Sequence, residues 1–445
     1  MIAFEIIIIQ GLWINNTFIT FFAFILLFLF YKNSFLSIIL LTPSFETLLY
    51  ASETFTITIM LAAFFIFVFI LSVIKNKMIA DKRFALLFAY LLIIIVGLFN
   101  AIVFGDFLAF INWDYKSVLS ENLLSNIPKI VFAMGLFFFI QNEGYQFLKN
   151  NLILATKLIP ISLIVVSIYF ITSADETMVF YLRMTLKNAD PNNFAAVLVA
   201  LGTFSFYLVF KSISKLWTFV GIVSSILVIY SVLLTASRGG ILTLVFTTFL
   251  TLILFSKGNF KRSILIILLL ILSVLALFYF NIVDFGFIYE RFFGESITNF
   301  SSLTSRRTDL WKTAVEGFKQ KPIFGFGGSM SVSHWINFTT YGNAMSMHNL
   351  FIEILVQYGM VGLTIFLLLI IRVLADLKNL LKLNKVHTTD NTYLLIPFIS
   401  LATMLFAGLA LSWHWRELIW YLIPLCFSIG SFVEKHVREN RAYLL

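Results

Sequence analysis

Charged residues and cysteine are both scarce in this chain of 445 residues. Charged side chains make up 12% of it, whereas soluble domains carry about 25%. The single cysteine, Cys426, lies in an apolar run and excludes both an intramolecular disulfide and a cysteine-based metal site. The five histidines are scattered and no paired aspartate motif occurs, so the sequence predicts no metal site.

Nucleotide-binding loops are also missing. The segment Gly325-Phe326-Gly327-Gly328 lacks the lysine of a phosphate-binding loop. The net charge of +9 does not indicate nucleic-acid binding, because the basic residues of polytopic membrane proteins collect in cytoplasmic loops. We therefore expect neither nucleotide chemistry nor a nucleic-acid partner.

Long apolar runs dominate what is present. Hydrophobic residues make up 60% of the chain, and runs of membrane-span length recur between polar breaks. We expect an all-α, polytopic membrane protein with about 12 transmembrane helices, the first of which directs insertion without a cleavable signal peptide. Pro43 and the polar residues after it make one candidate, 35–50, a poor span. The candidate helices are 17–31, 35–50, 54–74, 84–105, 127–141, 152–172, 191–210, 216–235, 241–255, 263–283, 350–374, 393–411 and 419–434.

The basic residues predict the orientation of these spans. If the loop Lys75–Arg83 is cytoplasmic, alternate loops collect most of the lysines and arginines, and the C-terminus is cytoplasmic as well. Three of the segments that then lie outside the cytoplasm stand out, namely 173–190, the turn Ser237–Gly240 and one long loop, 284–348.

The long loop divides the chain into an N-terminal transmembrane bundle, 1–283, the loop itself, 284–348, and C-terminal transmembrane helices, 349–445. Long loops in compact proteins are often functional. Apolar residues at helical spacing predict an amphipathic helix over Thr308–Lys319, which Pro322 and the following glycines end in a tight turn. We expect this helix to lie on the outer surface of the membrane.

Arg238 is the residue that most needs an explanation. It separates two apolar runs at a boundary predicted to be external, whereas arginine at span ends usually marks the cytoplasmic side. A guanidinium group close to hydrocarbon costs several kcal/mol unless it has a partner or water. A cation in this place therefore suggests a bound anion.

The long loop and the point where it re-enters the membrane hold further candidates. Arg307 and Trp311 are four residues apart, so the guanidinium can stack on the indole, although a pair in the interfacial belt explains the spacing as well. His348 can accept a proton from a hydroxyl or hydrogen-bond a phosphate, or it can cap a helix. Glu353 lies within the first turns of the next span, where an ionisable group is a functional candidate.

Two other external segments carry arginine. Arg183 precedes Asp190–Asn193, in which Asn192 and Asn193 can cap the next helix and donate amide hydrogens, although an ordinary proline-initiated helix explains most of this motif. Arg416 lies between the last two spans.

The shared location of these residues matters more than any one of them. Arg183, Arg238, Arg307 and His348 all fall on the predicted outer face. Arginine binds phosphate through a rigid two-pronged set of donors. Their convergence would fit a lipid diphosphate whose tail stays in the bilayer.

In this order the motifs resemble the O-antigen ligase and O-antigen polymerase superfamily of bacterial membrane glycosyltransferases. The resemblance covers roughly residues 180–370. The motifs that carry it are Asp190-Pro191-Asn192-Asn193, Ser237-Arg238-Gly239-Gly240, Arg307-x-x-x-Trp311 followed by Pro322 and Gly325-x-Gly327, and His348-Asn349.

The resemblance implies a GT-C-like enzyme that acts on the outer face of the cytoplasmic membrane and needs no nucleotide sugar, metal or other cofactor. It would transfer a glycan, with inversion, from undecaprenyl diphosphate to a glycan or lipid-linked acceptor. By motif match Arg238 and Arg307 bind the diphosphate, and His348 sits beside the acceptor hydroxyl or the phosphate. Asp190 and Glu353 rival His348 as the general base. The substrate-binding candidates are Arg183, Asp190, Asn192, Trp311, Glu353 and Arg416.

Other functions share this chemistry. Ligase and polymerase differ only in the acceptor, and the motifs do not separate them. A flippase for lipid-linked sugars would also hold a diphosphate with arginine, but alternating access favours a site near the midplane. A protein O-oligosaccharyltransferase would use the same donor.

Overall fold

The computed structural model shows an all-helical membrane protein. No strand occurs in the residues it describes, and seven of the helices in them are long and apolar enough to cross a membrane. The expected multi-pass helical class is therefore confirmed, while the count of about 12 spans and the GT-C-like arrangement stay predictions. The described residues are 34–41, 61–62, 64–66, 81–103, 126–173, 190–211, 214–255, 279, 289, 307–327, 347–386, 391–411 and 417–442.

The described helices agree closely with the apolar runs, with a few differences. The helix expected over 350–374 continues to Val386. Of the candidate 35–50, the described part forms a helix over Phe35–Ile39, and 42–50 lie outside the described residues. The candidate 17–31, all of 263–283 except residue 279, and most of 54–74 lie outside the described residues.

The chain forms two compact units. The first unit consists of Met1–Thr54, Gln146–Ser296 and His387–Ala407. The second unit consists of Phe55–Tyr145, Ile297–Val386 and Gly408–Leu445. The described helices of the first unit are α1 (Phe35–Ile39), α4 (Tyr145–Ser173, in this unit from Gln146), α5 (Pro191–Lys211), α6 (Lys215–Leu234), α7 (Arg238–Phe255) and α10 (Ile396–Ala407). Those of the second are α2 (Lys82–Val103), α3 (Ile127–Glu143), α8 (Arg307–Gln320), α9 (Leu350–Val386) and α11 (Glu417–Ala442).

Helix α5 is the centre of the first unit. About 94% of its span is buried, and α6, α7 and α10 pack around it. Small hydroxyl side chains connect these helices, as is common where lipid removes the hydrophobic driving force for packing. The Ser400 hydroxyl on α10 donates to the Ala200 carbonyl on α5 at 2.8 Å, and Thr247 on α7 shares a 2.8 Å bond with Thr403 on α10.

The second unit is held together at one end by an ion cluster, formed by Asp81, Arg83, Arg372, Asp376 and Glu434. The cluster joins the start of α2 to the later parts of α9 and α11. All three of these segments are predicted from the loop charges to be cytoplasmic, so the helix directions within this unit fit the predicted topology.

Helix α8 has the amphipathic character expected of the helix in the long loop. Leu310 and Ala314 are buried on the face that packs against α9, whereas Lys312 and Glu316 on the opposite face are exposed. The following residues turn sharply and place Gly325 and Gly327 beside α9.

Candidate functional site

In the first unit, Asp190 begins the site by capping α5. Its Oδ1 accepts the backbone N–H groups of Asn192 at 2.7 Å and Asn193 at 3.3 Å. The expectation that the two asparagines cap this helix is therefore wrong. Pro191 occupies the first helical position, so the residue before it is the one whose side chain can reach the free N–H groups.

Asn192 instead connects α5 to α7. The Ser237 hydroxyl donates to Asn192 Oδ1 at 2.8 Å and accepts the backbone N–H of Gly240 at 3.0 Å. One hydroxyl group thus caps α7 and ties its first turn to the first turn of α5. The positive ends of two helices are brought together, which favours an anion nearby.

Arg238 is the first residue of α7, not part of a turn before it as the sequence suggested. The helix starts here because the Ser237 carbonyl already accepts the Ile241 N–H at 2.9 Å. The Arg238 side chain is half-buried. A Cβ atom on the neighbouring Gly240 would lie 2.6 Å from the Cβ of Ala195, whereas one on Gly239 would meet no atom within 4 Å. The helix therefore packs tightly on one side of Arg238 and leaves open space on the other.

The prediction Ser237→Ala follows from this geometry. Loss of the helix cap and of the bond to Asn192 is expected to lower the free energy of unfolding by about 1–2 kcal/mol. Thermal unfolding in detergent measures the change. Ser162→Ala is the control, since its hydroxyl is buried too but donates to the Ile159 carbonyl of its own helix at 2.8 Å. Equal midpoints for the two variants would contradict the connecting role of Ser237.

Unusual backbone conformations mark two of the motifs. Within the described part of the chain, the non-glycine residues with positive φ are Ala236 at 45° and His348 at 49°. Such conformations are costly for residues with a side chain and persist where the surroundings impose them, often at functional sites. Ala236 directly precedes Ser237 and Arg238. His348 is the histidine that the resemblance places beside the acceptor hydroxyl or the phosphate.

In the second unit, Trp311 fixes α8 to the segment before His348. The indole Nε1–H donates to the Met347 carbonyl at 3.0 Å. Arg307 starts the same helix, one turn earlier, and is half-buried. Trp311 therefore sets where this turn of α8 stands relative to the His348 backbone.

Asn349, not His348, caps helix α9. Asn349 Oδ1 accepts the backbone N–H groups of Phe351 at 3.0 Å and Ile352 at 3.1 Å, and its Nδ2 donates to the Leu409 carbonyl at 2.9 Å. The capping explanation of His348 is thereby removed. The His348 side chain is half-buried, so part of its surface stays accessible to a substrate.

Glu353, unlike His348, is completely buried. It lies in the first turn of α9 and has 0% exposure. A carboxyl group with no exposed surface can influence its neighbours but offers no surface to an acceptor sugar in this conformation.

The candidate residues are divided between the two units. Asp190, Asn192 and Arg238 belong to the first, and Arg307, Trp311, His348 and Glu353 belong to the second. Arg183 and Arg416 lie outside the described residues. Convergence of the arginines on one ligand stays a prediction. Among the residues described, no group of three or more His, Cys, Asp or Glu side chains could hold a metal ion.

The helix cap by Asn349 can be recognised in the sequence, whereas the hydrogen bond of Trp311 cannot. Asn349, directly before an apolar run, is a recognisable helix-start signal. The bond from Trp311 to Met347 joins residues 36 positions apart, and no local pattern indicates it.

Comparison with known proteins adds independent information. Residues 223–367 match the family model described as O-antigen ligase. The match includes Arg238, Arg307, Trp311, His348 and Glu353. No curated protein matches the chain.

Proposed function

Residues 223–367 match the O-antigen ligase family model, and from that match we propose that the chain is a membrane glycosyltransferase acting on the outer face of the cytoplasmic membrane. The donor is a glycan linked to undecaprenyl diphosphate, and the acceptor is a hydroxyl group of a glycan or of a lipid-linked glycan. The product is a ligated or extended surface polysaccharide. The observation that carries this proposal is the family match over the segment that contains both arginine motifs and His348.

The diphosphate is the group that the arginines would bind. Arg238 stands at a helix start tied to a second helix start, next to the open space at Gly239. Helix N-termini and guanidinium groups both stabilise phosphate oxygens. Helix α7 also continues from Arg238 with an exposed apolar stripe, on which Leu242 and Val245 are 56% and 62% exposed. A lipid anchored at Arg238 could therefore lay its tail along a surface already suited to hydrocarbon.

The reaction is a substitution at the anomeric carbon. The acceptor oxygen forms a bond to this carbon, the bond from the carbon to the diphosphate oxygen breaks, and the undecaprenyl diphosphate leaves with the bonding electrons. Attack from the opposite side inverts the configuration. Arg238 and Arg307 would compensate the negative charge that develops on the leaving group, so that electrostatics and positioning supply much of the rate.

His348 is our choice for the group that accepts the acceptor's proton. One oxygen of Asp190 is already engaged in capping α5, and Glu353 has no exposed surface. His348 is half-buried and keeps part of its surface accessible, and Asn349 caps the helix that follows it. A neutral imidazole is suited to proton transfer near physiological pH.

A reconstituted assay tests the function. Purified protein in liposomes, given a purified undecaprenyl diphosphate-linked glycan and candidate acceptors, is expected to form a new glycosidic bond and release undecaprenyl diphosphate. Activity is expected to survive a chelator such as EDTA; inhibition that Mg²⁺ reverses would contradict the metal-independent mechanism. Movement of the intact donor across the bilayer without bond formation would indicate a flippase instead.

A further inference from the structure

The long helix α9 is interrupted within its candidate membrane span, Leu350–Asn384. At Gly359 the backbone has φ 65° and ψ −166°, which is not helical. This residue is nine positions after the start of α9 at Leu350, or about 13 Å along a helix with 1.5 Å rise per residue. Backbone groups released by such a break must find partners, because the hydrocarbon region of a bilayer has no water to satisfy them.

The partners come from the segment Pro322–Gly327, which follows α8. In an unbroken helix, the N–H groups of Met360 and Val361 would donate to the carbonyls four residues earlier, those of Val356 and Gln357. All four groups bond to the segment instead. The bonds run from Met360 N–H to Pro322 O at 2.8 Å, Val361 N–H to Ile323 O at 3.2 Å, Phe326 N–H to Val356 O at 3.1 Å and Gly327 N–H to Gln357 O at 2.8 Å.

The segment therefore satisfies the backbone groups that the break in α9 releases. The glycines are required on both sides: a Cβ on Gly359 would overlap the Ile323 carbonyl, and one on Gly325, at φ 68°, would overlap the Gln357 carbonyl. Helix α2 closes the third side, where Asn100 Nδ2 donates to the Gly325 carbonyl at 3.5 Å.

This junction determines where α8 stands. Only Lys321 separates the segment from Gln320, the last residue of α8, so the C-terminal end of the helix is fixed to α9 through four backbone bonds. Nearer its N-terminal end, α8 is fixed by the Trp311 bond to the Met347 carbonyl. A helix held at two points cannot slide or rotate freely, so Arg307 keeps one position relative to His348.

We propose that the insertion of Pro322–Gly327 into the α9 break at Gly359 is a positioning device, which holds Arg307 in place for donor binding beside His348. The proposal rests on the proposed function, because it assigns Arg307 to the diphosphate. Gly359, Gly325 and Trp311 act through Arg307 and are positioning residues.

The test measures the position of α8 and the kinetics separately. Spin labels are placed at Lys312→Cys on α8 and Ile371→Cys on α9, both exposed positions, in a Cys426→Ser background. Gly359→Ala is expected to broaden the distance distribution between the labels. It is also expected to raise the donor KM about tenfold, a quantity that a fraction of inactive protein does not change.

Gly144→Ala is the matched control. Gly144 also has positive φ, at 90°, but no atom lies within 4 Å of its Cβ position. The substitution therefore imposes a similar backbone strain without separating α8 from α9, and both the label distances and the donor KM should stay as in the unmodified protein.

A second variant, Trp311→Phe, tests the proposal if Gly359→Ala does not fold. Trp311→Phe removes the indole donor but keeps an aromatic ring, and it is expected to raise the donor KM as well. An unchanged label distance in a folded Gly359→Ala protein, or an unchanged donor KM in Trp311→Phe, would overturn the proposal. Neither result bears on the assignment of the reaction, which depends on Arg238, Arg307 and the reconstituted assay.

Discussion

Arg238→Ala and Arg307→Ala are each expected to reduce kcat/KM by about 100-fold or more, the typical effect of removing one donor from a site that stabilises developing negative charge. The reason is the leaving group. A diphosphate is expelled readily only if its charge is compensated, and a guanidinium group offers two parallel N–H donors to phosphate oxygens. Transfer to a defined acceptor in the reconstituted assay measures the effect, while the amount of protein in the membrane shows normal insertion.

Matched controls separate this effect from a general loss of positive charge. Lys319→Ala removes a cation from α8, the helix of Arg307, at a side chain that is 62% exposed. Lys215→Ala removes an exposed cation from α6, in the same unit as Arg238. Both controls should retain nearly full activity. Full activity in either arginine variant would refute the diphosphate assignment of that arginine.

A lysine at position 307 distinguishes a geometric contact from simple attraction. Lysine keeps the charge but replaces the planar two-pronged donor set with a point charge. Arg307→Lys is therefore expected to remain strongly impaired. Activity equal to that of the unmodified protein would mean that Arg307 only attracts the donor electrostatically.

The largest expected loss of stability comes from Arg83→Met in the ion cluster. Arg83 is 3% exposed and donates to both oxygens of Asp376, at 2.9 Å from Nε and 2.7 Å from Nη2. Removing it leaves the fully buried Asp376 with Arg372, at 3.0 Å, as its remaining arginine partner among the described residues. Breaking a buried ion pair by removing one partner typically costs about 3–5 kcal/mol, because the other charge stays buried. Thermal unfolding in detergent should show a correspondingly lower midpoint.

Two comparisons test this explanation. Lys319→Ala breaks the exposed pair with Glu316, at 2.6 Å, and should change stability by about 0.5 kcal/mol or less. Adding Asp376→Asn to Arg83→Met removes the stranded negative charge and should recover part of the lost stability. A shift as small as that of Lys319→Ala, or no recovery in the double variant, would show that the cluster does not hold α2, α9 and α11 together.

Local sequence patterns predicted most of the described helices correctly, because helix formation by an apolar run depends on local composition. An apolar run of span length must satisfy its own backbone in lipid, so it forms a helix wherever it occurs. The amphipathic spacing over Thr308–Lys319 likewise predicted α8 to within one residue at each end. The errors occurred at helix starts, at Asp190 and Arg238, where one side-chain hydrogen bond decides which residue is the cap.

The break in α9 shows what a local pattern omits. Gly359 lies within a long apolar run and gives no sign of an interruption, since a single glycine is tolerated in a membrane helix. The interruption depends on a segment more than 30 residues away that supplies the missing hydrogen bonds. The strained backbone at His348 depends in the same way on its surroundings.

The sequence by itself determined that this protein is helical and membrane-embedded, which family it resembles and which arginines could meet a phosphate, because composition, hydropathy and ordered motifs carry that information. Only the tertiary structure decided which side chains are already engaged and which stay accessible. It assigned capping to Asp190 and Asn349, buried Glu353 and fixed α8 at both ends. Those outcomes depend on hydrogen bonds and burial between residues distant in the chain, where a partner is chosen by proximity in space and not by spacing along the sequence.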